Sequence, residues 1–409
     1  MKMYTRDRSV PIRRMILLVA LMAMLALIVQ VGAAQTAENP SAATDGTLTV
    51  GKTTTPAGGQ GFWITAASFQ GSWGKTGTGP GQYRQPRDVE VDAAGNFYIA
   101  DHRTSRVQKL DSNGNYIASI GSRGRGVGKL LRINAIAVRG SLLVVTDTDN
   151  NRIAVFNTNG SFIENWGSQG SGNGQFNLPQ GVAFDAAGNV YVADTWNHRI
   201  QVFDDQGTYL RQWGSLGSAA GQMRFPVHLD FDAAGNLYVA DSNNHRIQVF
   251  DSQGTFIRQF GTQGSGPGQF YLPVGLDVGS DGFLYVSDTY NNRVVKLTLT
   301  GEYVGQWSQV ANGANVSRPN GLLLVGNKVY VSDLDANKIQ IFSQATFGLN
   351  DGQQQAASLP AGTYNVIEAP KSGWTLNSAT CTGGTPIAGG VQVALGNGAS
   401  VTCAFSNSQ

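Results

Sequence analysis

The sequence predicts an all-β protein, a six-bladed β-propeller followed by a small β-sandwich. Three observations carry this expectation. One hairpin-like segment is written six times along the chain. The aspartate that closes its first strand falls at Asp101, Asp147, Asp194, Asp241, Asp288 and Asp333, at successive spacings of 46, 47, 47, 47 and 45 residues. No helical pattern interrupts the repeats, and strand-only repetition at 40–50 residues is the signature of propeller blades.

The clearest copy is Gly188–Asp204, GNVYVADTWNHRIQVFD. Val190 to Ala193 is β-branched and aromatic, as a buried strand requires, Asp194 to His198 is a polar turn, and Ile200 to Phe203 resumes strand character. The copy at Gly235–Asp251, GNLYVADSNNHRIQVFD, is almost identical. These residues resemble the NHL repeat over about two thirds of the chain, from Phe62 to Phe342. The resemblance implies a propeller and says little about function.

Taken from the start, residues 1–34 read as a signal peptide. Basic residues (Lys2, Arg6, Arg8, Arg13, Arg14) precede an apolar run from Met15 to Val31, and the small residues Gly32-Ala33-Ala34 are where a signal peptidase is expected to cut. Export to the cell surface or medium follows, with membrane anchorage if the segment is not cut. Charged residues are 14% of the chain, against roughly 25% in an average soluble domain. The net charge of +2 gives no global pull toward nucleic acid. Residues 35–61 are rich in Thr, Ala, Gly and Pro without a period, and read as a flexible spacer.

The propeller is expected over residues 62–344. In the third unit the inner strand is Pro179–Asp185, the second Val190–Ala193, the third Ile200–Phe203 and the outer Tyr209–Trp213, with glycine turns between them. Each outer strand ends in a large apolar residue: Trp73, Ile120, Trp166, Trp213, Phe260 and Trp307. Trp73 precedes every hairpin, whereas the last hairpin, ending at Phe342, has no outer strand after it. The segment from Phe62 to Trp73 is therefore expected to complete the final blade and close the ring.

Residues 345–409 change character. Alternation at Tyr364–Glu368 and Val391–Leu395 predicts short strands of a sandwich. With PAGTY leading a strand, the segment resembles the prealbumin-like (SpaA-type) modules of bacterial surface proteins. Some such modules carry a lysine–asparagine isopeptide bond assisted by a glutamate, and the resemblance places Glu368 in the glutamate's position. The partner lysine would lie on a first strand where the propeller ends, and the bond is not expected on that basis. Cys381 and Cys403, the chain's two cysteines, are expected to form a disulfide in an exported protein.

Six aspartates, each followed five positions on by Arg106, Arg152, Arg199, Arg246, Arg293 or Lys338, are a ring-wide rule. An active site needs a local exception, so these pairs are read as structural hydrogen bonding within each turn. His198 and His245 belong to the same motif. His228 departs from it, replacing the glycine of Gly181, Gly275 and Gly321 on an inner strand, with Glu90, Asp230 and Asp277 in a nearby register. These four are candidates for a channel metal such as calcium. They motivate the alternative of a lactonase-like hydrolase or lyase. No catalytic residue is assigned, since no nucleotide loop, Ser-His-Asp order or nucleophile elbow is present.

The favoured reading is a monomeric binding or scaffold protein without a cofactor. Trp196 and Tyr290 stand in turns where other units have Arg103, Asp149, Asn243 or Asp335. A basic cluster, Arg84, Arg87, Arg103, Arg123, Arg125, Lys129 and Arg132, accompanies them. Rings that stack and guanidinium groups that pair with anions predict a site for an extracellular polymer, an acidic glycan or cell-wall component, or a protein.

Overall fold

A computed structural model describes residues 46–55, 62–310, 314–350, 352–359, 361–371 and 374–409. The expected signal peptide lies outside the described residues. Five blades are four-stranded antiparallel sheets in chain order, the first being Pro86–Val91, Phe97–Asp101, Arg106–Leu110 and Tyr116–Ile120. The others begin at Ile136, Val182, Pro226 and Leu276. Blades pack face to face, so their second and third strands are covered on both sides. That is why Val190–Asp194 and Arg199–Phe203 are buried at every residue, and why the sequence shows unbroken apolar runs there. Each core lies between two blades. Tyr98, Ala100 and Val107 of the first blade pack with Ile136, Leu143 and Val145 of the second. Burying a large apolar side chain of this kind contributes about 1.5–3 kcal/mol.

The sixth blade closes the ring as expected. Its strands are Pro319–Val325, Lys328–Asp333, Lys338–Leu349 and, from the other end of the chain, Phe62–Trp73. The last two strands are each 12 residues long and extend beyond the blade. Phe69 to Trp73 pairs within the propeller, whereas Ile64 to Ala67 pairs on its other side with Gly362–Glu368 of the sandwich. The register shifts between Phe69 and Gly71, where Gly71 has φ +138°. That backbone angle at a bulge is one glycine adopts readily.

The sandwich is thus continuous with blade six. One of its sheets extends blade six through Gly362–Glu368, Gly390–Leu395 and Thr385–Ile387. The facing sheet has the order Gln354–Leu359, Gly46–Thr55, Ser400–Ser408, Thr375–Cys381. The expected spacer over 35–61 therefore needs correction at residues 46–55, which form a sandwich strand running parallel to Ser400–Ser408. Alternate residues of that strand face inward: Leu48 and Val50 enter a core with Ile64, Phe347, Tyr364, Val366 and Phe405. The propeller is inserted between the first and later strands of the sandwich. Cys381 and Cys403 sit opposite one another on adjacent strands and form a disulfide.

A second device links blade to blade. The residue before each third strand adopts left-handed angles, as at His198 (φ +57°) and Asn337 (φ +55°). Its side chain reaches the backbone of the next unit. Asn151 Oδ1 accepts from Leu178 N at 2.8 Å, and His198 Nδ1 accepts from Phe225 N at 3.2 Å. Asn337 Oδ1 accepts from Gln85 N at 2.7 Å, which carries the chain of staples across the closure from blade six to blade one.

Candidate functional site

The repeated aspartates and arginines are structural. Asp194 is fully buried; its carboxylate accepts from Asn177 N, Asn197 Nδ2, Arg199 Nε and Gln201 Nε2 at 2.7–3.0 Å. Arg199 spends its remaining donors on the carbonyls of Ser171, Gly172 and Gln175 and on Gln212. The pair ties the turn of its own blade to the glycine-rich connector and leaves no donor for a ligand. In blade six, Asp333 accepts from Ser317 N, Ala336 N and Gln340 Nε2 instead. His198 and His245 are consumed by the inter-blade staples, with Nδ1 accepting from Phe225 N and Leu272 N.

The channel brings its candidates together in two layers. In the upper one Asp88 and His228 come from opposite blades, with Nε2 3.5 Å from Oδ1. Side chains can span the channel here because Gly181, Gly275 and Gly321 occupy the same register; a Cβ on Gly321 would stand 2.3 Å from Asp88 Oδ1. At 3.5 Å the contact is an ion pair without a good hydrogen bond. Burial pulls the His228 pKa down, but the carboxylates of Asp88 and Asp230 outweigh it and hold it above its ordinary value. Asp88, absent from the candidates drawn from the sequence, was identifiable by register, since it stands two residues before Glu90 as His228 does before Asp230.

The lower layer holds Glu90, Asp230 and Asp277. Two of the three serve as cross-braces: Asp230 Oδ2 accepts from Val278 N and Asp277 Oδ2 from Leu324 N, each at 2.8 Å and each in the next blade. Asp88 does the same in the layer above, accepting from Ile136 N at 2.9 Å. Burial, reinforced by the charges of Asp88, Asp230 and Asp277, holds Glu90 well above the usual carboxylate range. Burial and Asp230 do the same to Asp277. Among the described residues no three such side chains converge as metal ligands.

The loop face gathers the remaining candidates. Trp196 (50% exposed) packs edge-on to Phe225 at 5.2 Å, and Tyr290 (52% exposed) packs edge-on to Tyr271 at 5.7 Å. His245 stacks on Tyr271 at 5.4 Å. The rings thus form an arc across blades three to five. Arg84, Arg103 and Arg132 are exposed on the first two blades. Arg103 Nε donates to Gln85, and Arg132 lies 3.5 Å from Asp149. Arg87 is half-buried near the channel mouth, and its Nε has no partner. Burial, then the neighbouring Arg318 and Arg103, lower its pKa to about 10. Arg123, Arg125 and Lys129 stand apart on the exposed connector between blades one and two, where Lys129 Nζ donates to Ser122 Oγ at 2.9 Å. The structure therefore divides the basic cluster in two, four residues toward the channel mouth and three on the rim.

A third constellation lies in the sandwich. Lys52, on the first strand, is buried with Glu368 and Asn407. Lys52 Nζ donates to Glu368 Oε1 and, at 2.5 Å, to Asn407 Oδ1, while Asn407 Nδ2 donates to Glu368 Oε1 at 3.1 Å. Lys52 stands ahead of the propeller in the chain, on the first sandwich strand, because the propeller interrupts the sandwich. Its signal in the sequence was the alternation Leu48, Val50, Lys52. Burial lowers the lysine pKa, partly opposed by its hydrogen bond and charge interaction with Glu368.

Two family descriptions match parts of the chain: the NHL repeat over residues 176–203 and a 6-bladed beta-propeller over residues 229–309. No protein of curated function matches. Among solved structures, a protein of unknown function from Bacteroides thetaiotaomicron VPI-5482 is similar at 17% identity and TM-score 0.54, over 69% of this chain and 76% of that one. An auxiliary nutrient binding protein from the same organism gives 14% and 0.50 over 69% and 76%. A streptogramin B lyase gives 15% and 0.48 over 75% and 94%. At such identities the likeness is one of fold: the chain contains an NHL repeat within a six-bladed propeller.

Proposed function

We propose that the chain is an exported or cell-surface binding protein whose propeller presents its loop face to an anionic polymer, an acidic glycan or cell-wall phosphate chain. One observation carries the reading. The aspartates common to all blades are buried and hydrogen-bonded inside the protein, whereas Trp196, Tyr290, Arg84, Arg103 and Arg132, which vary between units, are exposed. Rigid strands holding irregular turns are the usual build of a binding surface. Retention on immobilised heparin tests it. Arg84→Glu, Arg103→Glu and Arg132→Glu together should abolish retention with an unchanged melting temperature, and the parent's retention should fall steeply with salt, since exposed charges are screened over about 8–10 Å. Retention unaffected by the triple change rejects this face.

The sandwich, on this reading, is a prealbumin-like module that closes itself covalently. Lys52, Glu368 and Asn407 have the arrangement an isopeptide bond needs. The neutral lysine amine, favoured by burial, attacks Cγ of Asn407; the Cγ–Nδ2 bond breaks; and Glu368 passes the amine's proton to the departing ammonia. Glu368 Oε1 already contacts both the nucleophile and the leaving nitrogen. The bond would clasp the two ends of the inserted propeller.

A further inference from the structure

We propose that the junction between propeller and sandwich is a second ligand site, for a short neutral oligosaccharide. It rests on different residues from the loop-face reading. In the other blades the large residue ending each outer strand is capped by a turn glycine of the next blade. A Cβ on Gly114 would stand 2.5 Å from Trp73, on Gly207 2.3 Å from Trp166, on Gly254 2.4 Å from Trp213 and on Gly301 2.4 Å from Phe260. Blade six has no such turn, because its third strand runs on into the sandwich and its fourth returns from it. Among the described residues Trp307 therefore has no glycine cap, and it borders a cleft of about 930 Å³ instead. That is within the range of about 300–1,000 Å³ typical of small-ligand sites.

The chemistry of the walls selects the ligand class. Blade five contributes Trp307 and Gln309, and the sandwich contributes Thr363, Asn365 and Gln392. Three of these form an amide relay: Gln392 Nε2 donates to Asn365 Oδ1 at 3.0 Å, and Asn365 Nδ2 donates to Gln309 Oε1 at 3.2 Å. The relay ties the three side chains together, and among the described residues no further hydrogen bond is made by the amide nitrogen of Gln309 or the amide oxygen of Gln392. A planar amide offers donor and acceptor side by side, which suits adjacent sugar hydroxyls. The indole supplies an apolar wall for the C–H face of a sugar ring. Among the described residues two charged side chains line the cleft: Arg293, engaged by Asp288, Gln306 and three carbonyls, and Glu368, whose Oε1 is held by Lys52 and Asn407 while its Oε2 is buried without a hydrogen-bond partner. Arg293 is spent on its partners and the remaining carboxylate oxygen of Glu368 is buried, so the walls offer an ionic ligand no exposed counter-charge, whereas a neutral polyhydroxyl chain needs none.

Calorimetric titration of the full chain with cellotriose, maltotriose and mannotriose tests this. At least one trisaccharide should bind at a single saturable site. Gln309→Ala with Asn365→Ala, side chains outside the cores, should weaken that binding about tenfold or more, as expected for two lost hydrogen bonds. The loop-face triple Glu variant should bind the sugar as the parent does, so the two sites fail or succeed separately. No binding of any of the three, binding indifferent to the double substitution, or tighter binding of tri-galacturonate than of the neutral sugars would overturn the proposal.

Discussion

Glu368→Gln is the sharpest perturbation of the sandwich. Glutamine keeps the volume and can still accept from Lys52, but it cannot take the amine's proton and deliver it to ammonia. In the parent the Lys52–Asn407 bond would join residues 355 positions apart, a ring that contains the whole propeller. On the chain-entropy account, closing a loop of that length stabilises the fold by about 6 kcal/mol. The disulfide, closing 22 residues, adds about 3 kcal/mol. Intact mass reads the chemistry directly. The parent should weigh less than its sequence by one ammonia and two hydrogens, and Glu368→Gln by the two hydrogens alone. Under reducing denaturation the parent should migrate faster than the variant, because a closed ring is more compact than a linear chain. A parent lacking only the two hydrogens would refute the bond; the three side chains would then be a buried hydrogen-bonded cluster.

Two further outcomes concern charge in and around the channel. Glu90→Gln should raise the melting temperature by a few degrees at pH 7, and the gain should vanish near pH 4. A carboxyl whose folded pKa is raised costs stability as pH climbs past its unfolded value, and glutamine removes that cost; calorimetry at the two pH values checks it. His102 is held to about pKa 3 by burial and then by Arg87, while its Nδ1 contacts Ile133 O at 2.9 Å. Its unfolded form takes a proton near pH 6.5, so stability should fall as pH drops from 6.5 toward 3. In His102→Gln that fall should be shallower, and an identical slope would contradict the assignment.

The propeller was legible because each blade repeats one solution to one packing problem. The aspartate of Asp194 recurs in all six units, the arginine of Arg199 in five, and Asn197 and Gln201 in four each, so their period reveals the ring. The closing strand was legible for the same reason, as a Trp73 ending without a hairpin before it. The first sandwich strand was not, because TLTVGKTTT has the composition of a linker and its partner strand lies more than 300 residues away. Lys52 went unplaced with it. Among the site residues, sequence register put His228, Asp230 and Glu90 in the channel but not their use: Asp230 and Asp277 brace neighbouring strands, which only the three-dimensional register displays. The basic residues appeared as one cluster in the chain and are two in space, because Arg123, Arg125 and Lys129 ride on a connector at the rim.

Hydrogen–deuterium exchange with and without a heparin oligosaccharide tests the central claim most directly. Binding at the loop face predicts protection in residues 83–87, 101–106, 131–134, 195–198 and 289–292. The turns of the opposite face, 92–96, 185–189 and 232–236, should exchange as before. Protection confined to those opposite turns, or to the rim at 122–129, would contradict the account.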